Sequence, residues 1–411
     1  MALGRRPQVR RAVYRARAQF LREGRGFLNP DEWFFNRHAA QGAVHPPGNA
    51  LFIALGDIVG FHTDDGYQLW ACALGAATIV VVGLAGRAVA GPRVGLIAAA
   101  IAAVSPAFWS YDPTLMAETP GQFLVALTLL LAYRFWDSPT ASRAAWLGGV
   151  AGLAALTRSE LVILIPMLVL PLCFAARGSG RQVALRLGAA VLWATAVLGP
   201  WVGWNMVRFE HPATLATGLD ISLVYAQCDD TWYGPNTGYW NVFCGAEIQK
   251  EPGNEFADES ELGRQYRIRA GEYISEHKGR WPVVVAARVG RTLSIYRPVQ
   301  QIHLEAEREG REEAVLWGAL LATTATVALA VVAFVKPPRS RKHLLPLLVP
   351  LAAGAAGAAI TFGTTRYRSA GEVGLTILAA VGIDALLRLR ARRAGDPDGD
   401  YLPTGPRGSR P

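Results

Sequence analysis

Three short polar turns carry the charged side chains of this sequence that are best suited to chemistry. Each turn separates two long apolar segments, and together they hold Asp112, Glu118, Arg158, Glu160, Arg366, Tyr367 and Arg368. A carboxylate can take up a proton, and a guanidinium group can bind phosphate through two parallel hydrogen bonds. The pattern indicates transfer chemistry on a phosphate-bearing substrate, with Asp112 and Glu118 as candidate catalytic groups. The structural alternative is a local Arg158–Glu160 pair, with Arg366 and Arg368 reaching to lipid headgroups.

The apolar segments around these turns are long enough to cross a membrane. Hydrophobic residues make up 51% of the 411 residues, and a helix needs about 20 apolar residues to span the hydrocarbon core. Uncharged blocks occupy 69–86, 187–207, 314–335 and 344–362. Shorter blocks occupy 94–110, 119–133, 144–156, 161–176 and 373–387. The sequence therefore predicts an all-α integral membrane protein, a polytopic helical bundle of about nine spans with one large extracytoplasmic loop.

Basic residues orient these predicted spans. Positive charge with little acid is found in five connections, at 87–93, 134–143, 177–186, 336–342 and 388–393. Alternating spans put all five on one side, which the positive-inside rule makes cytoplasmic. The basic residues of the cytoplasmic connections then account for the net charge of +9, which does not indicate nucleic-acid binding. Because arginine dominates over lysine, as in GC-rich bacterial genomes, we expect a multi-pass protein of a bacterial plasma membrane.

The domain organisation follows from this topology. It comprises an extracytoplasmic first loop with a juxtamembrane helix (1–65), six spans (66–207), an extracytoplasmic loop domain (208–313), three spans (314–389) and a disordered cytoplasmic tail (390–411). The first loop is rich in arginine, which favours the cytoplasm. Either 50–60 crosses as a short tenth span, or a first span lies upstream of Met1; we favour the second.

The long loop contains two cysteines that suggest a disulfide. Cys228 and Cys244 flank a stretch dense in Trp and Tyr, and Cys72 and Cys173 lie inside predicted spans. Two cysteines in an oxidising compartment favour a bond, although two free thiols are the alternative. The aromatic stretch suits sugar rings or the membrane interface, and a loop that packs only on itself fits equally well.

The order of several short motifs resembles the polytopic glycosyltransferases of the C superfamily, in particular bacterial relatives of dolichyl-phosphate-mannose protein mannosyltransferases and aminoarabinose transferases. The motifs are Leu-x-Glu-Gly-x-Gly-Phe, His45-Pro46-Pro47-Gly48-Asn49, Ala117-Glu118-Thr119, Leu156-Thr157-Arg158, Arg288-x-x-Arg291 before Tyr296-Arg297-Pro298, and Arg366-Tyr367-Arg368. The resemblance extends from about Tyr14 to Leu387.

The resemblance implies transfer of a sugar from a polyprenyl-phosphate donor, with inversion, at the outer face. It also implies a general base in the first outer loop and arginines that stabilise charge on the departing phosphate. The expected position of the base falls near Arg10, and no Asp or Glu occurs before Glu23. Asp31 and Glu32 could substitute, although their spacing from Tyr14 differs.

These observations lead to one site hypothesis. Asp112, Glu118, Arg158 and the turn at 366–368 are expected to line one outer cavity, with the arginines and Tyr367 binding the donor phosphate. His45 should cover part of the cavity, with Glu160, Arg291 and Tyr296 nearby. The acceptor is a protein, lipid or polysaccharide, and the protein also contacts membrane lipid.

Two other functions stay open, a flippase for lipid-linked sugars and a catalytically degenerate paralogue that binds them. The sequence shows no cofactor and no metal site, since its histidines lack ligand spacing. A carboxylate-bound divalent ion would leave little trace, so metal dependence stays open.

Overall fold

Each apolar block of the sequence forms a helix or a run of helical turns. A chain in lipid must satisfy its backbone polar groups within the segment itself, and a helix does so. The computed structural model describes residues 6–30, 32–36, 38–254, 257–338 and 340–393. Within these ranges there is no β-strand, and one isolated bridge joins Leu28 to Gln41. The all-α polytopic architecture predicted from the sequence is therefore confirmed.

The described residues of the first half of the chain form nine helices, and the last of these is the longest. They are α1 (Arg6–Arg22), α2 (Gly48–Ile58), α3 (Asp64–Ala90), α4 (Pro92–Val104), α5 (Pro106–Trp109), α6 (Glu118–Asp137), α7 (Ala141–Thr157), α8 (Leu170–Ala175) and α9 (Gly180–Arg208). Short 3₁₀ turns at Asp112–Thr114 and Ser159–Ile163, and π turns at Glu32–Asn36 and Ile165–Val169, lie between them.

The second half begins with short helices and ends with long ones. They are α10 (Gly218–Val224), α11 (Asp229–Trp232), α12 (Glu259–Glu276), α13 (Trp281–Thr292), α14 (Pro298–Glu309), α15 (Glu313–Val335), α16 (Arg341–Leu344), α17 (Val349–Ile360) and α18 (Ser369–Arg393). Further 3₁₀ turns occupy Val242–Cys244, Ile248–Lys250, Leu345–Leu348 and Thr365–Arg368.

Five helical segments of the described chain are long and apolar enough to cross a membrane: Asp64–Ala90, Gly180–Arg208, Glu313–Val335, Arg341–Ile360 and Thr365–Arg393. A sixth results if α4 and the segment Pro106–Thr114, which begins with α5, are taken as one span; the two are bent by 60° where Pro106 follows Ser105. Proline lacks the N–H that would continue the helix and clashes with the preceding turn. The other predicted spans correspond to α6, α7 and the broken segment Ser159–Ala175. A total of nine spans stays a prediction.

Helix α18 is the centre of the bundle. It packs against α4, α6, α15 and α17, and its residues from Ser369 to Gly382 are buried. The backbones approach closely here, because a Cβ atom on Gly374 would lie 1.8 Å from the carbonyl oxygen of Leu347. Small residues permit such contact between membrane helices. The centre of the fold is therefore set by close helix packing.

The end of α18 and the length of α2 bear on two of the predicted segments. The sequence predicts a disordered tail from residue 390, but residues 390–393 belong to α18, which continues through Arg393. Residues 394–411 lie outside the described ranges. The short apolar stretch 50–60 forms α2, which has 11 residues. Such a helix is much shorter than the roughly 20 residues of a full span.

The segment between α9 and α15 contains a disulfide. Cys228 and Cys244 are bonded, with their Cα atoms 5.5 Å apart. The bond closes a short loop that includes α11 and the aromatic stretch after it. Cys72 and Cys173 are free, the first exposed and the second buried.

The thiol content of the protein should therefore depend on reduction. We expect maleimide to modify two cysteines in the denatured, unreduced chain and four after reduction. Intact-mass spectrometry of the two samples measures the difference. A C228S/C244S variant provides the control, because its two remaining thiols should react equally in both samples. Four modified cysteines in the denatured, unreduced chain would contradict the bond.

Candidate functional site

Three helix ends meet at a buried carboxylate. Glu118 is the first residue of α6, Arg158 follows α7, and Arg366 lies in the 3₁₀ turn before α18. Arg158 Nη1 donates to Oε1 of Glu118, and Arg366 Nε donates to the same oxygen at 2.6 Å. The Glu118 side chain is fully buried, so its charge requires such partners. Its Oε2 atom has no hydrogen-bond partner among the described residues.

Further charged and aromatic groups extend this cluster on both sides. Arg158 Nε donates to Glu160 Oε1 at 2.6 Å, and the Arg158 guanidinium lies 5.5 Å from the centre of the Tyr367 ring. On the other side, Arg366 Nη1 is 3.8 Å from Glu309 Oε1, which α14 contributes. Ion pairs with carboxylates therefore hold the guanidinium groups of Arg158 and Arg366 in position.

His45 lies at the exposed edge of the cluster. Its ring stacks on that of Tyr14, with ring centres 5.8 Å apart. Close packing by the surrounding protein and the positive charges of Arg17, Arg366 and Arg158 lower the pKa of His45 well below its ordinary value. The imidazole is therefore neutral at pH 7 and can donate or accept a hydrogen bond there.

Arg17, on α1, is a member of the cluster that the sequence did not single out. It is 8% exposed, and its charge acts on His45. Within the described ranges no hydrogen bond or ion pair of its guanidinium group is found. The charge of Arg17 also acts on the carboxylate of Glu259, the first residue of α12. The place of Arg17 in the predicted first outer loop, where the positive-inside rule disfavours arginine, was a signal that could have identified this residue.

Asp112 lies apart from this cluster. Its side chain is buried and accepts a hydrogen bond from Thr119 Oγ1 at 2.7 Å. It faces a separate cavity of about 230 Å³ between α3, α4, α5 and α6, with Cys72 and Gln122 on its wall. The expectation that Asp112 and Glu118 share one cavity is therefore wrong. Asp112 precedes α6 in its own 3₁₀ turn and its side chain points toward α3, against Gly75.

Arg368 also lies apart from Arg366. Its Nε atom donates to Glu372 at 2.6 Å, and its Nη1 atom donates to Ser294 Oγ at 2.6 Å. Side chains two positions apart in a 3₁₀ turn point in different directions. Arg366 therefore reaches Glu118, whereas Arg368 points into the space between α13, α15 and α18. Arg366 and Tyr367 thus lie at the Glu118 cluster, where phosphate binding stays a prediction, and the expectation that Arg368 shares this site is wrong.

The long loop contributes differently from what the sequence predicted. Arg291 is fully buried and donates to the Thr237 carbonyl at 2.7 Å. The Tyr296 ring lies 5.5 Å from its guanidinium carbon. Neither residue has a described contact with Glu118. The loop residue that reaches the cluster is Glu309, for which the sequence offered no signal beyond its charge.

The two alternative acids of the first loop receive no support as a base. Asp31 lies outside the described residues. Glu32 begins the π turn Glu32–Asn36, and its backbone N–H donates to Asn29 Oδ1 at 3.3 Å. No group of three or more His, Cys, Asp or Glu residues within the described ranges is arranged to hold a metal ion.

The cluster lies partly within a segment that matches a known family. Residues 44–204 match the profile described as dolichyl-phosphate-mannose-protein mannosyltransferase, and this range includes His45, Glu118, Arg158 and Glu160. No curated protein shows significant similarity to the sequence.

One solved structure shares the fold over nearly the whole chain, and a second structure of the same enzyme is also similar. The oligosaccharyltransferase of Archaeoglobus fulgidus in its apo form is 14% identical, with a TM-score of 0.53 over 96% of this chain and 48% of its own. The same enzyme tethered to an acceptor peptide containing the NVT sequon is 16% identical, with a TM-score of 0.48 over 86% and 42%. The chain thus spans about half the length of these structures, and the likeness concerns the fold.

Proposed function

We propose that the protein transfers a sugar from a polyprenyl-phosphate-linked donor to an acceptor at the outer face of the bacterial plasma membrane. The observation that carries this proposal is the pair of guanidinium groups, Arg158 and Arg366, held on the buried Glu118 carboxylate. The profile that residues 44–204 match is described as dolichyl-phosphate-mannose-protein mannosyltransferase, and that reaction is of the same chemical kind as the one proposed. In this proposal the donor is a single sugar, a hexose or a pentose, and the reaction inverts its anomeric carbon.

The donor phosphate would bind between Arg158, Arg366 and Arg17. Glu118 and Glu160 hold Arg158 in place, so little side-chain freedom is lost when an anion arrives. Arg17 forms no hydrogen bond or ion pair among the described residues, and its positive charge adds to that of Arg158 and Arg366. As the bond between sugar and phosphate breaks, negative charge grows on the phosphate oxygen. Fixed guanidinium groups stabilise that charge without reorganisation.

The two acids differ in what they can contribute. Glu118 is bound by two guanidinium groups, which makes it a weak proton acceptor. Its main role is therefore to position Arg158 and Arg366. Asp112 has no guanidinium partner within the described ranges and is the better proton acceptor. It could act only on an acceptor that enters through its separate cavity.

Replacing the arginines tests the phosphate site. We expect Arg158→Gln and Arg366→Gln each to weaken binding of polyprenyl phosphate about tenfold or more, since a charged hydrogen bond contributes about 1.5–3 kcal/mol. Native mass spectrometry in detergent measures the bound lipid. Arg143→Gln is the matched control, because the Arg143 guanidinium group donates to the backbone carbonyls of residues 134 and 138, away from the Glu118 cluster. Equal binding by all three variants would contradict the site.

The fate of the donor tests the reaction. Liposomes that contain the protein are given polyprenyl phosphate carrying a labelled mannose, together with a crude cell-envelope acceptor fraction. We expect free polyprenyl phosphate to appear together with label in the acceptor, and both to fall in Arg158→Gln. Movement of the intact donor between leaflets without loss of its sugar would indicate a flippase. Donor binding without turnover would indicate a degenerate paralogue.

A further inference from the structure

A row of aromatic rings leads away from the guanidinium cluster. The Tyr367 ring, which lies against Arg158, is 5.8 Å from Phe362. Phe362 is in turn 6.1 Å from Trp240, measured between ring centres. All three rings are partly exposed. The row connects the cluster on the helix ends with the disulfide-closed part of the long loop.

The backbone holds this row in place. Gly363 N–H, next to Phe362, donates to the Gly238 carbonyl at 2.8 Å. Arg308 Nη1 donates to the Trp240 carbonyl at 2.5 Å. Two separate chain segments are therefore tied together at the point where Phe362 meets Trp240. A surface fixed in this way loses little conformational entropy when it binds a ligand.

Uncompensated positive charge surrounds the far end of the row. Arg291, Arg297 and Arg308 each donate to a backbone carbonyl of the segment 235–240, at 2.5–2.7 Å. No carboxylate oxygen within the described ranges forms an ion pair with any of the three. Arg308 also lies 5.4 Å from the Trp240 ring centre. Carbonyl oxygens satisfy the donors of these groups but do not neutralise their charge.

We propose that this row, Tyr367–Phe362–Trp240 with Arg308, is a subsite for the acceptor, and that the acceptor is an anionic carbohydrate. The inference rests on the proposed function and narrows its acceptor to polysaccharide. Aromatic faces pack against the C–H faces of sugar rings, and the guanidinium groups at the far end attract carboxylate or phosphate groups. The end near Tyr367 places an acceptor hydroxyl beside Arg158 and Glu118, where the donor sugar would be transferred.

Two oligosaccharides of equal length test the subsite. Tetragalacturonate carries a carboxylate on each ring, whereas maltotetraose is neutral. We expect isothermal titration of the full chain in detergent to show tighter binding of tetragalacturonate. Trp240→Ala should weaken binding of both sugars, and Trp240→Phe, which keeps a ring, should restore part of it. Arg308→Gln should weaken only tetragalacturonate binding, about tenfold.

Arg280 provides the matched control for Arg308. Its Nε atom donates to the Trp232 carbonyl at 3.2 Å and its guanidinium carbon lies 5.1 Å from the Tyr233 ring centre, an arrangement like that of Arg308 but outside the row. Arg280→Gln should leave both affinities unchanged. The proposal is overturned if wild type binds neither sugar or both equally, if Trp240→Ala has no effect, or if both arginine variants behave alike.

Donor binding separates this proposal from the proposed function. Trp240→Ala and Arg308→Gln should bind polyprenyl phosphate as wild type does, because neither residue contacts Arg158 or Arg366. If wild type binds the sugars but not polyprenyl phosphate, the proposed donor site fails while the carbohydrate subsite stands. If it binds polyprenyl phosphate but not the sugars, only the subsite fails.

Discussion

Replacing Glu118 with alanine should destabilise the protein by about 3–5 kcal/mol, the usual cost of removing one partner from a buried ion pair. The side chain is fully buried and binds Arg158 and Arg366 through one oxygen. Its loss leaves two guanidinium groups facing each other without a shared counter-ion. We therefore expect both a lower free energy of unfolding, measured by SDS titration in mixed micelles, and a loss of polyprenyl-phosphate binding.

A second carboxylate gives the comparison for this variant. Glu247 pairs with Lys250 at 3.3 Å, and both side chains are exposed. Exposed pairs contribute about 0–1 kcal/mol, so Glu247→Ala should be close to wild type in stability and binding. If Glu118→Ala were as stable as Glu247→Ala, the cluster would not organise this end of the bundle.

Replacing Gly354 with alanine should displace the turn that carries Arg366. A Cβ atom at position 354 would lie 1.9 Å from the carbonyl oxygen of Tyr367, so α17 and the turn Thr365–Arg368 must separate. Overpacking of this kind costs about 1–3 kcal/mol. We expect lower stability and, because the shift moves Arg366 relative to Glu118, weaker binding of polyprenyl phosphate.

A glycine with free space around it serves as the control. Gly188 lies inside α9, and a Cβ atom there would meet nothing within 4 Å. Alanine is better than glycine in a helix by up to about 1 kcal/mol, so Gly188→Ala should be as stable as wild type or slightly more stable. Equal destabilisation by both variants would show that α17 tolerates the added methyl group no differently from α9.

The helices and the centre of the site could be predicted from the sequence, for an identifiable reason. A long, uncharged apolar segment predicts a membrane helix, and hydropathy measures this property directly. Charged residues at the ends of such segments are costly, so Glu118, Arg158 and Arg366 are conspicuous in the sequence itself. The three residues are expected to meet because the predicted spans place their turns on the same side of the membrane.

Other parts of the site depend on geometry that the sequence pattern does not contain. Asp112 and Arg368 carry the same kinds of charge as the cluster members, but their local turns point them toward α3 and α13. Arg17 and Glu309 come from α1 and α14. How these two helices pack on the bundle depends on contacts between residues distant in the sequence. The aromatic row likewise joins the long loop to the turn before α18 through one backbone hydrogen bond, Gly363 to Gly238.

The donor site can be tested directly with a photoreactive polyprenyl phosphate. After irradiation, digestion and mass spectrometry identify the labelled peptides. We expect adducts around Arg158 and in 361–368, reduced by excess unlabelled polyprenyl phosphate and by an R158Q/R366Q double variant. Labelling confined to the connections at 87–93 and 177–186, or labelling around Arg158 that the double variant leaves unchanged, would contradict the account.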